Sequence, residues 1–448
     1  MVGAIAVSAL GQTISWIRQF GTSSGDLARG MAVEATGVYV VGVTGGVFPG
    51  QAFAGHYDAF VRKYDLSGNV LWTRQFGTSA YEETTGLAAD ATGVYVAGLT
   101  FGVLPGQTSA GYQDAFLRKY DASGNVLWTR QFGMSRSDAA RGVAVDGSAV
   151  YVVGYIEGPA SSITGSGDTF VRKYDISGTE IWTRHFGSSS HNLPQGVAVD
   201  TTGVYVAGWT NGVLPGQTSS GREDAFVRKY DTNGNVLWTR QFGTPLADVA
   251  MGVAADGAGV YVVGGSAGMA YVRKYDPNGN VLWTRQFVTP SFAEGVGVGV
   301  QASGIYVAGL TDSTLPGQTS AGDYDSFVAR ITEVLTVTID IKPGSDPNSI
   351  NPKSRGTIPV AILSSSTFDA FASVDTTSLT FGRTGNENSL AFCNGSPGDV
   401  NGDGLLDLMC HFDTQKTGFL AGDTLGKLKG KTVTGTPIAG SDSVRIVP

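Results

Sequence analysis

The sequence predicts an all-β chain built from repeats, and three observations carry that expectation. Glycine is abundant, at 65 of 448 residues, while only 15% of the residues are charged. That combination suits short strands joined by tight turns, because glycine supplies the positive φ angles that turns need. Four short phrases rich in β-branched and aromatic residues recur in one fixed order. Turn signals such as Ala35-Thr36-Gly37 and Ser67-Gly68-Asn69 separate them, which is strand chemistry.

Self-similarity sets the architecture. Trp16, Trp72, Trp128, Trp182, Trp238 and Trp283 each sit in a phrase like VLWTRQFG, at spacings of 56, 56, 54, 56 and 45 residues. The phrase GVYVxG recurs at Val38, Val94, Val150, Val204 and Val260, and at Ile305 as GIYVAG. DAFVRKYD recurs around Phe60, Phe116, Phe170, Phe226, Tyr271 and Phe327; GVAVD begins at Gly30, Gly86, Gly142, Gly196, Gly252 and Gly297. In repeat order these are the A (GVAVD), B (GVYV), C (DAFV) and D (VLWT) strands. Four strands in each of six units is the arithmetic of a six-bladed β-propeller with four-stranded blades over residues 1–333. A solenoid would need polar capping repeats, which the ends lack. The ends instead complement each other. The chain opens on a D-type strand, Ile14 to Phe20, and the last unit ends on a C-type strand, Ser326 to Ile331, with no D strand after it. Ring closure by the N-terminal strand would remove an exposed sheet edge.

The unit DAFLRKYDASGNVLWTRQFGMSRSDAARGVAVDGSAVYVVG resembles the bacterial SBBP-type β-propeller repeat, across roughly residues 3–332. The resemblance implies the fold and a surface or secreted setting, and little about activity.

Strand alternation puts the long B–C and D–A links on one face and the short A–B and C–D turns on the other. The B–C links share an insert: Phe48-Pro49-Gly50-Gln51, Leu104-Pro105-Gly106-Gln107, Leu214-Pro215-Gly216-Gln217 and Leu315-Pro316-Gly317-Gln318. Long loops on a rigid scaffold are where binding sits; the competing reading is that these loops seal gaps between blades. Four residues before the A-strand glycines stand Asp26, Glu82, Asp138, Asn192 and Asp248, with Glu294 adjacent to the sixth such position, Ala293. They are candidates for a ring of ligand-binding groups at a channel mouth, or for caps of their own turns. The D-strand Trp and Phe share one sheet face, which predicts blade-to-blade packing. The Arg-Lys pairs from Arg62-Lys63 to Arg273-Lys274 are expected to pair with repeat acids such as Asp58 and Asp65.

Residues 334–448 lack the repeat phrases and predict a small β-sandwich-like domain, with strands at Leu335–Ile341, Thr357–Leu363, Ser378–Phe381, Leu390–Cys393, Leu405–Phe412 and Val444–Val447. The phrases IDIKPGSDPNSINPKSRGTIPVAIL and GSDSVRIVP resemble a C-terminal domain of predicted exported bacterial proteins. Asp399-Val400-Asn401-Gly402-Asp403-Gly404-Leu405-Leu406-Asp407 reads DxNxDGxxD. Asp399, Asn401, Asp403 and Asp407 side chains plus the Leu405 carbonyl supply the hard oxygens that Ca2+ requires, around a glycine bend. Cys410 stands where an EF-hand has its Glu, so the loop resembles the calcium hairpins of FG-GAP and integrin-type repeats, or dockerin loops, and predicts a weaker site. The only cysteines, Cys393 and Cys410, flank this loop and predict a disulfide formed in an oxidising compartment.

The net charge of −8 offers no basic footprint for nucleic acid, and no apolar run approaches the roughly 20 residues that span a bilayer. The first residues, MVGAIAVSALGQ, lack a basic segment; the expectation is a removed signal or a piece of a longer product. Four histidines, no HExxH and no GxSxG argue against an enzyme. The expected function is a secreted or cell-surface binding protein for a glycan or protein ligand. The alternatives are a structural component assembling on a surface, and a polysaccharide-active enzyme.

Overall fold

The computed structural model describes residues 16–157, 167–287, 289–301, 304–315, 318–320 and 323–448. The chain forms two compact units, one comprising 1–300 and 306–329, the other 301–305 and 330–448.

The first unit is a series of antiparallel sheets in which each strand pairs with the next in sequence. The first sheet runs A (Asp26–Glu34), B (Gly37–Thr44), C (Asp58–Tyr64), D (Val70–Phe76). Sheets over 82–132, 138–186, 192–242 and 248–287 repeat this order. A sheet of three strands, Ala293–Gln301, Gly304–Thr311 and Asp325–Ile331, follows. This is a propeller-like arrangement. The A strands of the first five sheets each carry a bulge just before the repeated glycine, as between Ala28 and Gly30, and the C–D ladder is irregular at Lys63/Tyr64.

The core lies between successive sheets. Tyr39, Val41 and Val61 of the first sheet pack with Val94, Val96, Phe116 and Tyr120 of the second, and the same arrangement recurs down the series. The D-strand aromatics close these interfaces, as their shared face predicts. Trp72 lies 6.2 Å from Tyr120 of the next sheet, and its indole N–H donates to the Ala122 carbonyl at 3.0 Å. Trp128, Trp182 and Trp238 repeat both contacts. The C–D turn glycine is required there. Gly124 has φ +80°, and a Cβ on it would meet the Trp72 ring at 2.8 Å.

Among the described residues the Arg-Lys pairs do not meet Asp58 or Asp65. Two of them pair with other acids, Lys63 with Glu34 at 3.7 Å and Arg172 with Glu180 at 3.3 Å, and hydroxyls and rings supply further contacts. The Arg62 Nε donates to Thr73 Oγ1 at 2.8 Å, and its guanidinium lies 4.4 Å from the Phe20 ring centroid. Lys63 Nζ donates to Thr36 and lies over Tyr39. Asp58 instead accepts from the Ala54 N–H and the Gln75 amide, and Asp65 from the turn residues Ser67 and Asn69. At these buried stations a ring face and a hydroxyl meet each cation, with Glu34 also beside Lys63.

Ile14 and Ser15 lie outside the described residues. Trp16–Phe20 belongs to no sheet, yet it stands against the first sheet as the D strands of the first four sheets stand against their successors. Trp16 is 6.3 Å from Tyr64 and donates to the Leu66 carbonyl at 3.0 Å; Arg18 donates to the Gly68 carbonyl at 2.7 Å; Phe20 is 5.8 Å from Phe60.

In the second unit two four-stranded sheets share one apolar cluster. Leu335–Thr336, Pro437–Ser443, Leu425–Thr432 and Val374–Gly382 form one sheet; Ile339–Ile341, Thr357–Ile362, Leu408–Asp413 and Leu390–Cys393 form the other. Phe381 and Leu428 from the first, and Ile341, Val360 and Phe412 from the second, meet in that cluster. The expected strand Leu335–Ile341 divides into two pieces in different sheets. The expected strand Val444–Val447 shortens to Arg445–Ile446. Cys393 and Cys410 are cross-strand partners and are disulfide-bonded.

Candidate functional site

The register fixes which links share an edge. Asp26 pairs with Thr44, Thr44 with Asp58, and Ala59 with Phe76, so each B–C and D–A link emerges at the same end of its sheet.

The four-residue inserts are tied to the D strand of their own sheet. Gln51 accepts the Gln75 N–H at 3.0 Å, and Gln75 in return accepts the Phe48 N–H at 2.9 Å. The Gln75 amide then donates to the Gly46 carbonyl and the Asp58 carboxylate, both at 2.8 Å. Gln107 with Gln131, and Gln217 with Gln241, repeat the reciprocal pair. Phe48, Leu104 and Leu214 are buried at the head of each insert. This geometry favours sealing over ligand contact. In the fourth copy Pro316 and Gly317 lie outside the described residues.

The polar group at the head of each A strand clamps the preceding D–A link. Asp26 accepts the Thr22 N–H at 2.5 Å; Glu82 accepts the Thr78 N–H at 2.7 Å and the Thr78 and Thr100 hydroxyls. Asp138 accepts the Met134 and Glu157 N–H groups, and Asp248 the Thr244 N–H and hydroxyl. Asn192 accepts from Ser188 and Thr210 and donates to the Ser190 carbonyl. Glu82, Asp138, Asn192 and Asp248 are fully buried, with Asp26 partly covered. Ala293 heads the sixth A strand, and burial raises the neighbouring Glu294 carboxyl above its ordinary value.

Sequence reasoning missed a second set of acids, at the heads of the C strands. Asp58, Asp114 and Asp224 are buried, and one oxygen of Asp58 and of Asp224 has no hydrogen-bond partner. Each faces the clamp acid of the next sheet across a glycine. A Cβ at Gly77 would collide with Asp58 and Glu82, at Gly133 with Asp114 and Asp138, and at Gly243 with Asp224 and Asp248. The repeated DAF and D/E phrases carried this signal; the pairing needed the register. Burial, opposed by the Met134 and Glu157 N–H groups and reinforced by Asp114 and Glu157, pushes Asp138 up to about 6. Its folded pKa exceeds the unfolded one. The linked stabilisation is therefore complete below about pH 4 and is lost as pH rises through about 6. Asp138→Asn, which copies the natural Asn192, is expected to flatten this loss between pH 4 and 6 in thermal melts. An unchanged slope would reject the assignment.

The DxNxDGxxD loop is a compact turn. Asp399 accepts from the Gly402, Asp403 and Gly404 N–H groups at 2.7 to 3.1 Å, with Gly402 and Gly404 at φ +78° and +87°. Asn401 and Asp403 bond each other, and the Asp403 carboxylate accepts the Leu405 N–H. Asp407 is buried, its two oxygens taken by the Ser364 N–H at 2.7 Å and the Val400 N–H at 2.9 Å. The donor set is all oxygen, the class that suits a hard cation. Among the described residues, however, no three His, Cys, Asp or Glu side chains stand grouped to hold a metal. No helix among them is long and apolar enough to cross a membrane.

No family model matches the chain. The resemblance to SBBP-type repeats therefore stands on the repeated phrases. The chain is 32% identical over 177 residues to the regulatory protein FlaEY of Caulobacter vibrioides, covering 35% of this chain and 18% of that protein. It thus spans less than a fifth of the length of the curated relative it matches. Among solved structures it is similar to a protein of unknown function from Bacteroides caccae, at 12% identity and TM-score 0.35, over 58% of this chain and 82% of that one. It is also similar to the WD40 β-propeller domain of Doa1, at 11% identity and TM-score 0.30, over 68% and 97% of the two chains. A third is the polysaccharide lyase Uly1, at 11% identity and TM-score 0.36, over 69% and 91%.

Proposed function

We propose that this chain is a secreted or cell-surface binding protein, not an enzyme, in which a six-bladed ring presents its loop-bearing face to a glycan or protein ligand. One observation carries the reading: the repeated polar side chains of that face are consumed in clamping links and sealing inserts, which makes the repeats a rigid scaffold. In this reading Trp16–Phe20 closes the ring as the fourth strand of the sixth blade. Two features support closure. Trp16–Phe20 already occupies a D-strand station against the first blade. A groove of about 490 Å³, lined by Phe287, Thr311, Leu315, Gln318 and Phe327, runs beside the C strand of the sixth.

A second reading, a structural component that assembles on a surface, is favoured by exposed pairs on the outer strands. Val70-Leu71, Val126-Leu127, Val236-Leu237 and Val281-Leu282 are each about half exposed. Exposed apolar pairs repeated on the outer strands of four units, with Glu180-Ile181 at the third, fit self-association. The two readings separate on one experiment. Monodisperse protein that captures a soluble ligand through its loop face supports the first; ordered polymers without ligand support the second.

The second unit is proposed to be a β-sandwich that binds Ca2+ through Asp399, Asn401, Asp403 and the Leu405 carbonyl, with Asp407 anchoring the loop and contributing from its remaining lone pairs. Extracellular modules bind with Kd of about 10⁻⁴–10⁻³ M. Millimolar calcium should therefore stabilise the unit by about 1 kcal/mol, through binding to the folded state alone. The check is thermal melting of the full chain with calcium, magnesium or chelator. The melting transition of the unit that carries residues 330–448 should rise with calcium, and Asp403→Ala should abolish the response. Identical melting under all three conditions would leave the loop a turn.

A further inference from the structure

In a repeat protein the recurring side chains build the scaffold, so the positions that differ between repeats are the ones free to serve a ligand. Four positions on the loop-bearing edge make the same backbone bonds in every copy, whatever their side chains. Glu82, Asp138, Asn192 and Asp248 donate their N–H groups to the carbonyls of Tyr57, Gln113, Gly167 and Glu223. Phe101, Glu157, Asn211 and Ala267 donate to Tyr81, Ser137, His191 and Ala247. Folding therefore does not require aromatic side chains there, and the third to fifth units hold small, polar or charged residues, with one histidine. Rings stand at Tyr57 of the first unit and at Tyr81 and Phe101 of the second, although the first unit has Gly25 and Gly45 at the latter two positions and the second has Gln113 at the former.

Those rings touch in series. His56 and Tyr57 centroids are 5.0 Å apart, Tyr57 and Tyr81 5.7 Å, Tyr81 and Phe101 6.0 Å, and Phe101 and Tyr112 5.2 Å. The strip crosses from the first sheet to the second. Its ends, His56 and Tyr112, are exposed, Tyr112 to 71%, and its middle is half-buried. Exposed rings tied to one another at fixed spacing are held rigid, which lowers the ordering cost of binding. Polar groups stand beside them. Tyr81 donates its hydroxyl to Glu83 at 2.8 Å, and Glu83 is paired with Arg29 at 2.6 Å. Burial and that hydrogen bond push the Tyr81 phenol up to about 12, so it remains a donor. The Glu83–Arg29 pair cancels its own charge, so the platform carries no net attraction for an ionic ligand.

We infer that the strip His56–Tyr57–Tyr81–Phe101–Tyr112 is a binding platform for a neutral oligosaccharide, an inference that rests on the loop-face binding reading and names its ligand class. Sugar rings present apolar C–H faces that lie on aromatic side chains, and hydroxyls at their rims that bond tyrosine, carboxylate and guanidinium groups. Neighbouring ring planes are inclined at 56° to 86°, so the strip offers separate stacking faces at individual rings, with ring edges and hydroxyls between them, and not one continuous flat face. In the sixth unit Phe292 and Tyr324 form a separate pair, at 6.3 Å.

The test is native affinity electrophoresis of the full chain in gels containing neutral glucans, mannans or xylans. Wild-type protein should be retarded by at least one of them. Tyr57→Ala with Tyr112→Ala should bind roughly tenfold or more weakly. Tyr57→Phe with Tyr112→Phe keeps the rings and should bind within a few-fold of wild type. Leu246→Ala, an exposed side chain on the D–A link of the fifth unit, should bind as wild type. Melting of each variant separates lost binding from lost folding. Retardation that survives the double alanine change overturns the strip while leaving loop-face binding intact. Wild-type protein retarded by none of these polymers overturns the sugar assignment.

Discussion

Deleting residues 1–20 is expected to destabilise the repeat unit by about 5 kcal/mol and to drive it into aggregates. Trp16 and Phe20 are the D-strand anchors of the first interface, where the ring contacts with Tyr64, Phe48 and Phe60 would be lost. Truncating a fully buried Trp or Phe costs about 3–5 kcal/mol, and these two are partly exposed, so the pair together reaches a comparable figure. The Arg62 guanidinium, stacked on Phe20 and Phe48, would lose one of its two ring faces. The edge of the sixth blade's C strand would then face solvent, which favours intermolecular pairing. Denaturant unfolding and light scattering read both effects. A deletion that leaves midpoint and monodispersity unchanged would show that the segment contributes nothing to the ring.

Replacing both cysteines, as Cys393→Ala with Cys410→Ala, is expected to lower the stability of the second unit by about 3 kcal/mol. The bridge closes a loop of sequence separation 17, and a loop of about that length gives a stabilisation of this order. Cys410 is buried in the core cluster, so alanine also leaves a small cavity. The effect should be confined to the transition that carries residues 330–448. It should be reproduced by a strong reductant on the wild type and be absent when reductant is added to the variant. Equal melting of oxidised and reduced wild type would contradict it.

The repeat sheets were legible because their information is local and redundant. Alternating Val-Tyr-Val and Ala-Phe-Val runs between turn glycines specify strands, and six copies specify their order. The partners of Arg62 and Lys63 were not legible. Sequence spacing brings Asp58 and Asp65 near, whereas the register hands Arg62 to Thr73 and to Phe20 of the preceding interface. In the second unit, Leu425–Thr432 and Pro437–Ser443 escaped notice because their inward positions include glycine. A Cβ at Gly426 would meet Ile341 at 2.6 Å and one at Gly430 would meet Leu379 at 2.6 Å, so packing excludes the apolar side chains that would have announced a strand. Lys427, Lys429 and Lys431 fill the outward positions and reinforce a loop-like composition. The clamp role of Asp26, Glu82, Asp138 and Asp248 was one of two readings open to sequence. The opposing acids Asp58, Asp114 and Asp224 needed the fold, because each pair joins neighbouring sheets.

The closed ring is tested most directly by a cysteine cross-link. In the first sheet Arg62 pairs with Thr73 across the C and D strands. The corresponding positions in a sixth blade completed by the N-terminal strand are Ala329 and Ile17. Directly opposed residues on antiparallel strands have Cβ atoms about 4.5–5.5 Å apart, within reach of a disulfide. Ile17→Cys with Ala329→Cys, oxidised in dilute solution and mapped by peptide mass spectrometry, should give an intramolecular 17–329 bridge in most molecules alongside 393–410. Free thiols at 17 and 329, or bridges only between molecules, would contradict a ring closed by its own N-terminal strand.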